Sequence, residues 1–153
     1  MHKDKFTFMQ QPLDPADISE RFDYIIMGDV IEHLLDPWTA IRHMRELLAP
    51  GGELVVSIPN VANIRNIFNV VRGFWSYQDR GLLDRTHLCF FTKHEIIELF
   101  EDAGYVIEDI QWHVVSNPDF IEAFRKELLS LKTVSICADD LDAYQYLVLA
   151  RRA

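Results

Sequence analysis

The segment Phe22-Asp23-Tyr24-Ile25-Ile26-Met27-Gly28-Asp29-Val30-Ile31-Glu32-His33-Leu34-Leu35-Asp36-Pro37 changes character at its middle. Tyr24 to Met27 is a short apolar run, of the length and bulk of a strand buried on both faces. Gly28 ends it. Four side chains able to bind a metal or move a proton then crowd together: Asp29, Glu32, His33 and Asp36. If Asp29 to Leu34 coils into a helical turn, Asp29, Glu32 and His33 stand at i, i+3 and i+4 on one face. Open α/β sheets bind ligands just beyond the carboxyl ends of their strands, which makes this turn a candidate site. The competing reading is a solvated first turn with no chemistry.

Working outward, Asp36-Pro37 has the form of a helix start, an N-cap followed by proline at the first helical position. Trp38, Ile41, Met44 and Leu48 give a helical stripe that stops at Pro50-Gly51-Gly52. Glu53 to Ile58 is a second core strand, stopped by Pro59. Strand, helix and parallel strand form a crossover unit, expected to be right-handed. Ala62 to Arg72 is expected to be helical, with Gly73 just past its end. Phe74 to Leu83 mixes aromatic and charged residues without a period and reads as a loop or lid. Thr92 with Glu95 makes a capping box for a helix carrying Ile96, Ile97, Phe100 and Ala103, closed by Gly104. A strand over Tyr105 to Trp112, a helix from Asn117-Pro118 and a last strand over Ala143 to Ala150 complete the order. On the amino-terminal side, Phe6 to Met9 has the pattern of a short strand and Gln10 to Arg21 that of a loop.

The 153 residues suit one domain with a single core. Hydrophobic residues make up 49% and charged residues 25%, ordinary for a globular chain. The net charge of −9 argues against a dedicated nucleic-acid binder, which needs a basic surface. No apolar run approaches membrane-spanning length, so no membrane partner is expected. The two cysteines, Cys89 and Cys137, lack metal spacing, and a reducing cytoplasm is the simplest setting.

Phe22-Asp23-Tyr24 through His33-Leu34, Leu47-Leu48-Ala49-Pro50-Gly51-Gly52, Glu53 to Ser57 and Pro59-Asn60 together resemble the second half of a class I S-adenosylmethionine-dependent methyltransferase. Asp84-Arg85-Thr86-His87, Phe90-Phe91-Thr92 and Ala103-Gly104-Tyr105 continue the resemblance in order. It implies an α/β fold: the distal half of a Rossmann-like domain, with a mostly parallel sheet and an antiparallel last strand. The strand at Tyr24 would be the family's fourth, Leu54 to Ile58 its fifth, Tyr105 to Trp112 its sixth and Ala143 to Ala150 its seventh. Residues 1–21 would be an amino-terminal remnant strand and loop, and 22–153 the carboxyl-terminal half. The family's glycine-rich first turn has no counterpart in the chain, nor does the acidic residue that binds the cofactor ribose. The chain is therefore expected to be inactive alone.

The resemblance also implies roles. Gly28, Asp29 and Val30 would lie beside the methionine part of S-adenosylmethionine, with Glu32 and His33 on the side of a small-molecule acceptor, oxygen being the expected atom. Asp29-x-x-Glu32-His33 resembles the motif of ubiquinone-pathway and small-RNA O-methyltransferases that binds Mg²⁺ or Mn²⁺. A later histidine, here His87, would complete that set. Other members carry Glu-His without a metal, with the histidine as base or structural group. Asn60, Arg65, Arg72, Trp75 and Tyr77 are further candidates for the acceptor side. The rival expectation is a non-catalytic interaction module that keeps the fold. With the first strand absent, Tyr24 to Met27 would present an open apolar edge. That edge would be filled by Phe6 to Met9, by the missing amino-terminal half or by self-association.

Overall fold

The computed structural model describes residues 18–153. The expected strand at Phe6 to Met9 and most of the loop before Arg21 lie outside the described residues. Ten elements follow in order: β1 (Phe22–Gly28), a 3₁₀ turn (Ile31–His33), α1 (Pro37–Leu47), β2 (Leu48–Pro59), α2 (Ile64–Val71), α3 (Lys93–Asp102), β3 (Tyr105–Val114), α4 (Asp119–Leu129), α5 (Ala138–Asp142) and β4 (Ala143–Arg152). One sheet holds the strands in the order β1-β2-β4-β3. β1 and β2 pair in parallel, while β4 runs antiparallel to both its neighbours, β2 and β3. Three of the four strands thus point one way, with the reversed strand inserted between the second and third. This is the Rossmann-like arrangement expected from the sequence.

Local chemistry sets the boundaries. The Asp36 side chain accepts the Thr39 amide at 2.9 Å, and Pro37 opens α1 at the position where a missing N–H costs nothing. Between Phe22 and Tyr24 the register slips, because β2 carries Ala49 to Gly52 as an outward loop. A Cβ on Gly52 would lie 2.8 Å from the Phe22 carbonyl oxygen, so only glycine lets the strands close there. Gly104, with φ +79°, turns α3 into β3.

The main core lies on one face of the sheet. Met27, Leu54, Val56, Ile58, Tyr146, Val148 and Ala150 meet Ile41 of α1 and Ile96, Leu99 and Phe100 of α3. Alternate residues on the opposite face stay open: Tyr24 is 66% and Ile26 76% exposed, and Leu147 is also exposed. The run Tyr24 to Met27 is therefore covered on one side only among the described residues, and β1 is an edge strand. A second apolar cluster joins Ile64, Phe68, Ile121, Phe124 and Leu141 across α2, α4 and α5. Between the two clusters stand three buried asparagines. Asn60 and Asn63 spend their amide groups on carbonyls of Asp140 to Ala143, and Asn66 bonds the Val61 carbonyl. They fix the point where β4 begins.

Candidate active site

β1 delivers its carboxyl end at Gly28, and Asp29 takes a left-handed conformation (φ +51°) that turns the chain out of the strand. A single 3₁₀ turn follows. It brings Glu32 inward, where the residue is 1% exposed, and leaves His33 half-buried. The Glu32 carbonyl accepts two amides, Leu88 at 2.8 Å and Cys89 at 3.0 Å. This pins the segment after Thr86 against the turn and sets His87 beside His33, with ring centroids 4.8 Å apart and nearly perpendicular.

Both imidazoles are oriented by backbone. His33 Nδ1 lies 3.1 Å from the Thr86 carbonyl oxygen, and His87 Nδ1 lies 3.2 Å from that of Leu82. A carbonyl only accepts, so each Nδ1 carries a proton, and in the neutral form of either ring Nε2 is the lone-pair nitrogen. Burial pushes the His87 pKa below the usual histidine value, which keeps that ring neutral. The Glu32 carboxyl group has no hydrogen-bond partner on either oxygen. Burial raises its pKa most; the residue's own backbone amide, near the carboxyl group without bonding it, opposes that shift, the Asp29 charge adds to it and His33 opposes it. One ligand atom each from Glu32, His33 and His87 can be chosen so that all lie within 4.8 Å of one another.

Asp29 is not in this group. Its Oδ1 accepts from Ser57 Oγ at 2.8 Å and from Gln145 Nε2, and its amide donates to Ser57 Oγ at 2.9 Å. The carboxylate thereby ties together the ends of β1, β2 and β4. Gly28 and Val30 flank it at the surface. All four titratable groups border one cleft of about 230 Å³, also lined by Arg80, Gly81, Tyr144 and Gln145.

The remaining sequence candidates have other employment. Asn60 is fully buried in the clamp on β4. Arg65 bonds Asn117 at 2.8 Å and the Ser116 carbonyl. Arg72 lies over the rings of Phe68 and Phe74. Trp75 meets Phe90 edge-on, and Tyr77 is exposed. Sequence reasoning passed over Ser57 and Gln145. Each is a polar residue set among apolar neighbours of its strand, at the end where ligands bind, and that was the available signal.

The parallel strands with a reversed strand inserted before the last of them, and titratable groups gathered at the carboxyl ends of the parallel pair, define a class I methyltransferase architecture. The chain belongs to the methyltransferase domain family, whose sequence profile matches residues 2–110. Ubiquinone biosynthesis O-methyltransferase of Cereibacter sphaeroides is 35% identical over 91 residues, covering 58% of this chain and 36% of that protein. Magnesium protoporphyrin IX methyltransferase of Synechocystis, crystallised with bound SAH, superposes with a TM-score of 0.53 at 15% identity, over 92% of this chain and 49% of that one. A SAM-dependent methyltransferase of Methanosarcina mazei gives 0.54 at 13% identity, over 92% and 65%. At such identities the structural likeness speaks for the fold alone. The chain spans little more than a third of the length of the curated relative.

Proposed function

We propose that this cleft is the acceptor side of an S-adenosylmethionine-dependent methyltransferase that methylates an oxygen atom of a small molecule. The observation that carries the reading is the buried Glu32 carboxyl group, unpartnered on both oxygens and beside two imidazoles with free Nε2 atoms. Burying such a group without a partner is unfavourable, and folds retain it where a ligand or a reaction uses it. The O-methyltransferase relatives support oxygen as the acceptor.

Methyl transfer from a sulfonium is an in-line displacement, so aligning donor and acceptor is the main task. A hydroxyl acceptor must also lose its proton, and His33 Nε2 or His87 Nε2 can receive it. The backbone carbonyls at the two Nδ1 atoms hold both rings in the accepting tautomer. Asp29, locked by Ser57 and Gln145, fixes the strand end where Gly28 and Val30 would meet the methionine part of the cofactor. The sequence holds no glycine-rich turn, so useful cofactor binding requires a segment that supplies one. Two free cysteines are compatible with a reducing cytoplasm as the setting.

The donor set also fits a divalent cation. Glu32 offers an orphan carboxylate, His33 and His87 offer imidazole nitrogens, and oxygen with nitrogen suits Mg²⁺ or Mn²⁺. Asp29, held through its Oδ1 by Ser57 and Gln145, stands outside this set. Such a cation supplies acidification of a bound hydroxyl.

The bare sheet face favours a second reading, an interaction module without chemistry. One experiment separates them: labelled methyl transfer from S-adenosylmethionine to a catechol, with a segment carrying the first three strands of a relative added. Transfer is expected, and His33→Asn should lower kcat by about 10²- to 10⁴-fold with cofactor affinity little changed. Association of the two segments with no transfer would leave the interaction reading standing.

A further inference from the structure

The cleft has a second wall that acid–base chemistry does not use. Gln78 to Arg85 forms a closed loop: the Gln78 amide donates to the Leu83 carbonyl at 2.8 Å, and the Arg85 amide returns to the Gln78 carbonyl at 3.0 Å. Arg80 and Gly81 sit at its tip and line the cleft. The loop's other arginine, Arg85, is paired with Asp79 at 3.2 Å. Arg80 has neither ion pair nor hydrogen bond among the described residues. That is notable in a chain with 24 acidic and 15 basic residues. Gly81 holds φ +98°, and a Cβ there would lie 2.9 Å from the Tyr144 hydroxyl oxygen. The tip therefore stands against Tyr144, whose hydroxyl makes no hydrogen bond among the described residues. The same cleft is lined by His33, His87 and Glu32, His87 being held by the Leu82 carbonyl of this loop.

We propose that Arg80 and the Tyr144 hydroxyl form an oxyanion subsite, so that the acceptor is a hydroxy acid or hydroxy phosphate: its anionic group docks on Arg80 and its hydroxyl faces the two histidines. A guanidinium presents parallel donors matched to carboxylate and phosphate oxygens, and a phenol adds a third donor. The subsite specifies which molecules enter, while the histidine side acts on the hydroxyl. The inference rests on reading the cleft as an acceptor site, and its test keeps the two apart.

The probes are 3-hydroxybenzoate, 3-hydroxyphenyl phosphate and the uncharged methyl 3-hydroxybenzoate, titrated into the 153-residue chain while amide shifts of Arg80, Gly81 and His87 are followed. At least one anion should bind roughly tenfold more tightly than the ester. The better anion tells carboxylate from phosphate. Arg80→Gln should bring the anions down to the ester's affinity, and Arg80→Lys should retain part of the preference. His87→Gln should weaken all three probes alike. Equal affinity for the three probes, an anion preference that survives Arg80→Gln, or no anion binding at millimolar concentration overturns the subsite. If Arg80→Gln removes the preference while His87→Gln changes nothing, the subsite stands and the acid–base reading of the histidines falls.

Discussion

At the scale of single residues, Glu32 is where stability and chemistry conflict. Its folded-state pKa is raised by burial, so the fold favours the protonated form. The associated stability is full below the ordinary glutamate value of 4.5 and is lost as pH rises through the raised value. Glu32→Gln should therefore stabilise the protein at neutral pH by about 1–3 kcal/mol, with a gain in melting temperature of about 2–4 °C per kcal/mol. Below about pH 4.5 the gain should vanish. Thermal scans across this range check it, and a loss of stability at neutral pH would mean that the carboxylate has a partner in solution. Manganese should also stabilise, but through the ionised carboxylate, raising the stability of the wild-type chain by about 2.7 kcal/mol at a hundred times its dissociation constant. Glu32→Gln, His33→Gln and His87→Gln should each diminish that response. Equal stabilisation of all four proteins would exclude the metal reading. Glu32 and His33 were legible as a pair because neighbours on one turn announce themselves in sequence. Arg80 was visible only as one member of a loop without a period, and its place against Tyr144 depends on a turn that no pattern reports.

Among the elements, those with chemical punctuation were the easiest to read. Asp36-Pro37, Thr92 with Glu95 and Gly104 mark real ends, and the helices and strands between them were found within a few residues. The Thr92 amide donates to the Glu95 carboxylate at 3.1 Å, and the Thr92 hydroxyl does the same. That hydroxyl is the main cause of the lowered Glu95 pKa. Thr92→Val should cost about 1 kcal/mol at neutral pH, measured by urea denaturation. The difference should shrink as pH falls through the lowered Glu95 value, where the carboxylate becomes protonated in either protein. A null effect at pH 7 would show that α3 is held by packing alone. What escaped the sequence was short or partly exposed. α5 has five residues and no apolar period of its own; the Asn60 and Asn63 side chains hold its end from sixty residues away or more. Trp38, Val71 and Phe120 fit helical stripes and still lie exposed, because a stripe predicts a face without saying what covers it.

For the whole molecule, the fold class was readable because several motifs stood in the family's order, whereas the one-sided cover of the sheet was not a matter of pattern. α1 and α3 pack on the same face, leaving Tyr24 and Ile26 bare, among the described residues, on an edge strand with unpaired backbone groups. Such an edge with apolar residues beside it invites pairing. The chain is expected to self-associate, and Ile26→Lys should shift sedimentation towards monomer without unfolding. A wild-type monomer at high concentration, with the Ile25 and Ile26 amides exchanging freely, would count against this. The placement of β4 has a different consequence, which concerns time. β2 and β3 never touch as neighbours; each pairs with β4, which is made after both. As the chain leaves the ribosome, β1, α1 and β2 can come together early and α3 can dock on α1, but β3 has no strand to pair with until residues 143–152 arrive. The gap is one strand wide, lined by Val56, Ile58 and the residues opposite, and until the last strand enters it the nascent protein carries an open cleft through its own core.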